Sequence, residues 1–365
     1  DYLPEADAVM VYHMLSLTAK SIARLERCKL IVRCGVGYDN VDHATSRRRD
    51  IPVANVPDYG TEEVADSAIG MLLAMARGIS FFNSRLRDMQ GPWMYTQAQP
   101  IWRLRDRTFG IVGLGRIGGA TALRAKALGM QVLFFDPFVP DGRDKSLGVH
   151  RVESFEELVS LSHVLSMHCP LTPESWHLVN RRTIELFRQG SFLVNTARGG
   201  VVETAAIPDA IASGRLAGAA IDVLEAEPPL NDPLVTAWRN PEHPAFHRVL
   251  INPHAAFYSE EGLTDMRRKG SAACRRALLP KTTMRPSVKD FCSVSECGSF
   301  SQPAAWSFGT TYFLQVSASF IDACLPSAST PWASPLAARE RPGPSPAPPS
   351  TSRGPGDGSA TARAP

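Results

Sequence analysis

Six residues, "GLGRIG", limit the possible folds of this chain more than any other segment. They place Gly113, Gly115 and Gly118 in a G-x-G-x-x-G pattern. The strand-like run "TFGIV" precedes them, the helical pattern "GGATALRAKALG" follows, and the next apolar run, "QVLFF", ends at Asp136. The glycines alone would be a weak signal, because glycine-rich turns are common. With the strand, helix and acid in place, they predict a dinucleotide-binding βαβ unit.

Each residue of this pattern has its own physical reason. Gly113 permits a tight turn, Gly115 lets the backbone approach a pyrophosphate, and Gly118 lets the helix pack close to the strand. A carboxylate at Asp136 accepts hydrogen bonds from ribose hydroxyls and repels a 2′-phosphate, so the expected cofactor is NAD rather than NADP. A tight turn without a ligand is the alternative.

Apolar runs of strand length alternate with amphipathic stretches from residue 108 to residue 254. This alternation predicts an α/β fold with a doubly wound parallel sheet. Upstream, "DAVMVYH", "KLIVRCG" and "IPVANVP" predict strands of a smaller α/β unit, and "TEEVADSAIGMLLAMARGISFFNSRLRD" predicts a long helix that begins near Thr61.

Domain boundaries follow from these patterns. We expect the first part of the smaller domain at 1–56, the nucleotide-binding domain at 57–265, a return to the smaller domain at 266–282, and an unrelated, disordered tail at 283–365. The tail is rich in Pro, Ser, Gly, Ala and Arg. The sequence enters a predicted strand almost at once and does not begin with Met, so we expect that its natural N-terminus is missing.

Composition gives no indication of a nucleic-acid or membrane partner. The net charge is only +3, from 39 basic and 36 acidic residues, so we expect neither nucleic acid nor a membrane as a partner. Seven cysteines without a C-x-x-C pair argue against a disulfide framework and give no metal motif. The expected location is therefore the cytoplasm.

Charged side chains follow three successive predicted strands. Arg198 comes after "SFLVNTA", Asp222 and Glu227 come at or after "AAIDVL", and His254 comes after "RVLINP". A lone histidine at a strand end is more often structural than catalytic. Here, however, the carboxyl ends of parallel strands meet at one crevice, which brings these groups together.

The three residue types suit one reaction. Transfer of a hydride to a carbonyl carbon requires a proton for the oxygen, and a histidine side chain can supply one near neutral pH, so His254 is the candidate. Glu227 suits the stabilisation of the protonated imidazole, and Arg198 suits a two-pronged contact with a substrate carboxylate. We therefore interpret Arg198, Glu227 and His254 as catalytic.

The motifs "GLGRIG", "HCPLT", "NTARGG", "DVLEAEP" and "NPHAA", in this order, resemble the D-2-hydroxyacid dehydrogenase family over about residues 5–280. The resemblance implies a Rossmann NAD-binding domain inserted in a smaller flavodoxin-like substrate domain, a small 2-oxo or 2-hydroxy acid substrate, and a homodimer. The family's catalytic trio falls on the same arginine, glutamate and histidine.

Segments such as "VYHMLSLT", "IVRCGVGYDNVD" and "HAAFYSEEG" are most similar to the C-terminal-binding protein branch of that family. This branch includes transcriptional corepressors that sense NAD(H), so the alternative function is an NAD(H)-dependent corepressor scaffold with incidental catalysis, located in the nucleus. A third hypothesis is that the chain is a truncated gene product, which cannot complete its small domain and is therefore inactive.

The resemblance also implies a fuller set of site residues. Those implied for the cofactor are Gly113, Gly115, Arg116, Ile117, Gly118, Asp136, Cys169, Pro170, Thr172, Thr196, Ala197 and Asp222. Arg116 would contact the pyrophosphate, and Asp222 would hold the nicotinamide carboxamide. Those implied for the substrate are His13, Arg33, Val36, Gly37 and Phe257. For His13 and Arg33, packing or surface roles are the alternative.

Two departures from the corepressor pattern concern the crevice. Phe257 stands where the corepressors have tryptophan, which would reshape the pocket for the substrate side chain. The segment between Glu227 and His254, "PLNDPLVTAWRNPEHPAFHR", is longer than in the corepressors, and we expect it to form a surface loop at the crevice rim.

Overall fold

A computed structural model describes residues 2–98, 100–279 and 313–316. Its strands are β1 (Ala8–Val11), β2 (Ile31–Arg33), β3 (Val53–Asn55), β4 (Thr108–Val112), β5 (Gln131–Phe135), β6 (His150–Arg151), β7 (Val164–Met167), β8 (Ser191–Asn195), β9 (Leu216–Ile221), β10 (Val249–Ile251) and β11 (Phe313–Val316). Its α-helices are α1 (Ala19–Ala23), α2 (His43–Arg48), α3 (Thr61–Ala76), α4 (Ile79–Arg87), α5 (Arg116–Ala127), α6 (Arg143–Leu147), α7 (Phe155–Leu161), α8 (Arg181–Ile184), α9 (Ile207–Ala212), α10 (Pro233–Arg239) and α11 (Glu260–Leu278).

The larger sheet contains seven parallel strands in the order β10-β9-β8-β7-β4-β5-β6. Apolar cores cover both of its faces: α3 and α5 pack on one, and α7, α9 and α10 on the other. Burial on both faces explains why its strands read as continuous apolar runs. The predicted doubly wound α/β fold is confirmed.

The strand order of the larger sheet indicates where a ligand would bind. From β4 the chain moves outward through β5 to β6, then returns to β7 on the other side of β4 and continues to β10. The order reverses between β4 and β7. A doubly wound sheet binds its ligands at such a point, outside the carboxyl ends of the strands.

The smaller sheet is also parallel, in the order β11-β1-β2-β3. One face packs against α1, through residues such as Ile22. The other face packs against α11, where Met266 and Cys274 contact β1 and β2 through Met10 and Val32. Helix α11 therefore packs on the smaller sheet, and the expected boundaries of the returning segment, 266–282, stay a prediction.

The helix predicted from Thr61 through the "FFNSRLRD" segment is broken. Helix α3 ends at Ala76, and Gly78 has φ 65°, a left-handed conformation that favours glycine. The chain bends by 62° before α4 begins. The start of the helix is at Thr61, as predicted, and Gly60 is its N-cap.

The long segment between Glu227 and His254 is not simply a surface loop, as we had expected. It contains α10, whose N-cap Asp232 accepts hydrogen bonds from the backbone N–H groups of Leu234 and Val235. Leu234 and Val235 are buried in the large core, as is Ala245 in the 3-10 helix Pro244–His247. The segment extends the domain core beside α9.

The expected disordered tail is contradicted at one place. Residues Phe313–Val316 form β11, which pairs in parallel with β1. The rest of that prediction lies outside the described residues. Among the helices of the described ranges, no single one has the length and apolar character of a membrane span, and α3 with α4 passes such a test only as a bent pair.

Candidate active site

The glycine turn after β4 has the geometry that its sequence predicts. Gly113 has φ 92°, which disfavours other residues, and its N–H donates to the carbonyl of Phe135 at 3.0 Å. A Cβ on Gly118 would lie 2.0 Å from the carbonyl oxygen of Gly113, so only glycine allows α5 to pack this close. A Cβ on Gly115, in contrast, would meet no atom within 4 Å. Open space therefore lies over the N-terminus of α5, which begins at Arg116.

Asp136 directly follows β5 and faces this turn. One of its carboxylate oxygens accepts the N–H of Leu114 at 2.8 Å, and the other accepts the N–H of Phe138 at 2.9 Å. Arg116 and Ile117 form the first two positions of α5. The open space beside Gly115, the unpaired N–H groups of a helix start and this carboxylate fit the pyrophosphate and ribose of a dinucleotide.

The "HCPLT" residues form the loop after β7, on the opposite side of the turn. A Cβ on Gly113 would lie 2.9 Å from the N of Cys169, so the two loops are in direct contact. Burial raises the pKa of the Cys169 thiol to about 11, which keeps it neutral. Pro170 and Thr172 are joined by Ser175, whose hydroxyl lies 2.7 Å from the Pro170 carbonyl oxygen and accepts the Thr172 N–H at 2.8 Å.

Thr196 and Ala197 directly follow β8. The Thr196 hydroxyl is buried and has no hydrogen-bond partner among the described residues. The N–H of Ala197 donates to the side chain of Asn195 at 3.1 Å. A buried hydroxyl without a partner next to the crevice is suited to a ligand contact, because an unpaired polar group in the interior is unfavourable.

His254 and Glu227 are in direct contact. The imidazole Nδ1 lies 2.7 Å from Oε2 of Glu227, whose other oxygen accepts the N–H of Leu224 at 3.0 Å. Burial acts to raise the pKa of Glu227, but the hydrogen bond and charge of His254, the Leu224 N–H and Arg198 together lower it below its ordinary value. The carboxylate is therefore ionised near neutral pH, and Nε2 of the imidazole has no partner among the described residues.

Asp222 holds the turn that carries His254. Its backbone carbonyl accepts the N–H of His254 at 2.8 Å, and its carboxylate accepts the N–H groups of Ala255 at 2.9 Å and of Ala256 at 3.1 Å. His254 has φ 54°, an uncommon conformation for a residue with a Cβ. The described contacts of Asp222 are thus to backbone, and the predicted contact with the nicotinamide carboxamide stays a prediction.

Arg198 reaches the smaller domain. Its Nε donates to Oδ1 of Asp39 at 3.0 Å, and Nη1 donates to the carbonyl of Ala197 at 2.8 Å. Its guanidinium fills the space beside Gly37, where a Cβ would lie 1.5 Å from Nη2. Among the described residues, the N–H groups of Val36 and Gly37 donate no hydrogen bond. A substrate carboxylate could therefore meet these N–H groups and the guanidinium together.

Arg33 lies beneath the same loop and is buried. Its Nη1 donates to the carbonyl of Cys34 at 3.0 Å, and its Nε donates to Asn40 at 3.3 Å. A Cβ on Gly35 would lie 1.4 Å from Nη1. The Asn40 amide in turn donates to the carbonyls of Tyr12 and Leu15, which flank His13. Arg33 therefore packs under the loop, where it supports that loop and adds positive charge.

His13 and Phe257 form an aromatic wall with His254. Ring centroids are 5.8 Å apart for His13 and His254, 5.4 Å for His13 and Phe257, and 6.2 Å for Tyr59 and Phe257. Although His13 keeps contact with solvent, desolvation lowers the pKa of its imidazole, and the nearby His254, Arg33 and Arg198 lower it further. His13 is therefore neutral at physiological pH.

The predicted site residues thus lie in the segments after the carboxyl ends of the strands, apart from Arg33, which is the last residue of β2. The structure adds three residues that the sequence analysis missed. Asp39 pairs with Arg198, Asn40 joins Arg33 to the His13 loop, and Tyr59 packs on Phe257. Burial acts to raise the pKa of Asp39, but the charge and hydrogen bond of Arg198 lower it. The sequence did contain an indication of Asp39, because in the segment "GYDN" this acid follows two residues after Gly37, which was predicted to bind the substrate carboxylate.

The parallel sheet and the glycine turn after β4 define a dinucleotide-binding protein. The chain belongs to the D-isomer specific 2-hydroxyacid dehydrogenases, whose NAD-binding domain matches residues 69–256. This domain binds NAD.

Individual relatives agree with this assignment. The chain is 35% identical to D-3-phosphoglycerate dehydrogenase of Methanocaldococcus jannaschii over 71% of this chain and 47% of that protein, and 36% identical to that of Bacillus subtilis over 72% and 47%. The structure of D-lactate dehydrogenase from Aquifex aeolicus, complexed with NAD and lactic acid, is similar at a TM-score of 0.67 and 28% identity, over 75% of this chain and 84% of that one. The chain spans about half the length of the curated relatives it matches.

Proposed function

We propose that this protein is an NAD-dependent dehydrogenase that reduces a 2-oxo acid to the D-2-hydroxy acid. The observation that carries the proposal is the 2.7 Å contact between Nδ1 of His254 and Glu227, in the crevice that also contains Arg198. An imidazole with one nitrogen held by an ionised carboxylate and the other nitrogen unpaired is arranged for proton transfer.

Cofactor binding is assigned to the turn after β4 and its surroundings. Gly115 and the start of α5 at Arg116 would hold the pyrophosphate, Asp136 the adenosine ribose, and Thr196 the nicotinamide end. The chemistry that reduced NAD supplies when bound is a hydride for the carbonyl carbon of the substrate.

Arg198 would bind and orient the substrate. Its guanidinium lies against Gly37, and the N–H groups of Val36 and Gly37 are unpaired among the described residues. A carboxylate bound to the guanidinium and to these N–H groups would place the adjacent carbonyl near His254. Phe257 and His13 would then contact the substrate side chain.

His254 would move the proton. With Nδ1–H donated to Glu227, Nε2–H of the imidazolium donates to the carbonyl oxygen, which becomes the hydroxyl of the product, and the neutral imidazole remains. Glu227 stabilises the charged imidazolium and fixes its orientation. Since the pKa of Glu227 is lowered, this support persists at neutral pH and is lost as the pH falls through that pKa.

The substrate is a proposal at the level of its class. The two curated relatives are named for 3-phosphoglycerate, and the solved relative is bound to lactic acid. Both are 2-hydroxy acids, and they differ in the group on the neighbouring carbon. The common part, a carboxylate next to a hydroxyl carbon, is the part that Arg198 and His254 would contact.

An NAD(H)-sensing corepressor scaffold of the C-terminal-binding protein kind remains the alternative. It is supported by the resemblance of the "VYH" and "IVRCGVGYDN" segments, whose His13 and Arg33 lie at the crevice. We also propose a homodimer formed through α3 and α4, and a cytoplasmic location, or a nuclear one for a corepressor. The apolar residues Ile79, Met89 and Trp93 at and after α4 are exposed and suit such an interface.

The test is turnover by the purified chain. NADH would be mixed with glyoxylate, pyruvate, branched and thioether 2-oxo acids, and the 2-oxo form of 3-phosphoglycerate, and its absorbance followed. We expect turnover of at least one acid, reduced by about 10²- to 10⁴-fold in His254→Gln and unchanged in His150→Gln, which replaces an exposed histidine of β6. No turnover by a chain whose melting temperature still rises with NADH would favour the scaffold.

A further inference from the structure

A second histidine–glutamate pair joins the loop that carries Glu227 to the loop after β7. Glu227 contacts Nδ1 of His254 at 2.7 Å, and two residues earlier Glu225 contacts Nε2 of His177 at the same distance. The His177–Glu225 pair is partly buried, with side-chain exposures of 29% and 27%. The reaction proposed above gives it no role.

Glu225 joins three segments of the chain. Its Oε2 contacts His177 in the loop after β7, and its Oε1 accepts the N–H of Thr204 at 3.0 Å. The buried Thr204 hydroxyl lies 3.1 Å from Oε1 and 3.2 Å from the carboxylate of Asp232, and it can donate to one of them at a time. Thr204 follows the loop of Arg198, so Glu225 holds the loops of two catalytic residues against each other.

His177 contacts the Arg198 loop as well. It has φ 47°, and its N–H donates to the carbonyl of Gly200 at 2.8 Å. Its ring stacks on Trp176 at 4.5 Å, and a Cβ on Gly200 would lie 2.5 Å from the indole. Gly199, next to Arg198, packs so tightly that a Cβ would lie 2.0 Å from the carbonyl of Leu224.

A short covalent path leads from Glu225 to the catalytic contact. Leu224 directly precedes Glu225, and its N–H donates to Oε1 of Glu227 at 3.0 Å. A shift of the backbone at Glu225 would therefore move the donor that orients the Glu227 carboxylate. The other oxygen of that carboxylate is the one that holds His254.

We propose that His177 and Glu225 are positioning residues, which fix the loops of Arg198 and Glu227 so that Glu227 meets His254. This proposal rests on the proposed dehydrogenase function. The pair acts through backbone and hydrogen bonds and does not touch the reacting atoms. It differs from an ordinary surface ion pair because each partner is bonded to a loop that carries a catalytic side chain.

The pH dependence of activity distinguishes positioning from general stabilisation. The charged and titratable groups that face Glu227 are His254, Arg198, Asp222 and His13. Burial raises the pKa of Glu227, and the contact with His254 opposes burial. When that contact loosens, burial dominates and the pKa rises. Activity should then be lost at a higher pH as the solution is acidified.

The variants are Glu225→Gln and His177→Gln in the full chain, with Glu185→Gln as the matched control. Glu185 also pairs with a cation, Arg215 at 3.2 Å, but it is 72% exposed, and this pairing involves neither of the two loops. With the best 2-oxo acid, we expect both variants to lower kcat about 10- to 100-fold and to move the acid limb of the kcat/KM profile to higher pH. The control should match the wild type. A uniform loss of activity with an unmoved acid limb would overturn the proposal.

A second readout is independent of activity. The imidazole ¹⁵N resonances of His254, assigned by their absence in His254→Gln, report its contact with Glu227. We expect them to shift in Glu225→Gln and in the milder His177→Gln, and to be unchanged in Glu185→Gln. Unchanged His254 resonances in the folded variants would overturn the positioning role. Absence of wild-type turnover would instead overturn the proposed function, and the resonances would still decide the positioning role.

Discussion

The glycine turn after β4 and the glycine loop after β2 differ in what occupies the space beside their glycines, where another residue would have its Cβ. In the turn after β4, the space beside Gly115 is open. In the loop after β2, the spaces beside Gly35 and Gly37 are filled by the guanidinium groups of Arg33 and Arg198. The first loop leaves room for a ligand beside Gly115, whereas the second loop is filled by guanidinium groups, one of which would bind the substrate together with the backbone N–H groups of the loop. A glycine at a strand end can therefore leave room for a ligand or make room for a side chain of the protein, and the neighbouring atoms show which of the two applies.

The comparison predicts its largest effect at Gly37. In Gly37→Ala the new methyl group would collide with Nη2 of Arg198, which is the end of a flexible side chain and can move away. We expect kcat/KM for the 2-oxo acid to fall by about 100-fold because the guanidinium is displaced. The affinity for NADH, measured by fluorescence titration, should be unchanged. Equal losses in both quantities would mean that the two loops are not separate in function.

The matched change in the first loop is Gly115→Ala. Its methyl group meets no protein atom within 4 Å, so the free energy of unfolding in urea should be nearly unchanged. The methyl group would occupy space assigned to the pyrophosphate, and we expect NADH to bind about 10- to 100-fold more weakly, as for one misplaced methyl group in a tight site. Unchanged NADH affinity in this variant would contradict the assignment of the open space to the cofactor.

The difference between the loops also separates what the sequence could predict from what it could not. The glycine turn, its helix and Asp136 lie within 24 consecutive residues, so local spacing was enough to assign them. Arg198 and Asp39 are 159 residues apart, and no local pattern records their contact. The strand ends could still be assigned, because parallel topology brings them to one edge.

Other differences have local physical causes. Asp232 followed by Pro233 is an N-terminal helix signal, and the expectation of a surface loop, which rested on the length of the segment, overlooked it. The apolar period of α3 continues past Gly78, so the pattern gave no sign that the glycine adopts the left-handed conformation. The His177–Glu225 pair joins residues 48 positions apart, and only the folded loops reveal it.

The smallest effect concerns charge beneath the first loop. His168 adjoins the turn, with its carbonyl 2.9 Å from a Cβ placed on Gly113, and its Nε2 contacts the hydroxyl of Ser166 at 2.8 Å. Burial lowers the pKa of His168 to about 4, whereas an unfolded histidine has a pKa of about 6.5. As the pH falls, the unfolded chain therefore protonates this histidine at a higher pH than the folded chain does. The contribution of the neutral His168 to the free energy of unfolding is complete above pH 6.5 and is lost as the pH falls toward 4.

His168→Gln should remove this dependence. Between pH 8 and pH 6 the wild type should lose about 1 kcal/mol more unfolding free energy than the variant, measured in urea at each pH. His150→Gln, which replaces an exposed histidine, should behave as the wild type. If His168→Gln and the wild type lose stability equally, the histidine beneath the turn is already able to hold its proton in the folded state. The first loop would then share the charged character of the second, and the contrast between them would rest on space alone.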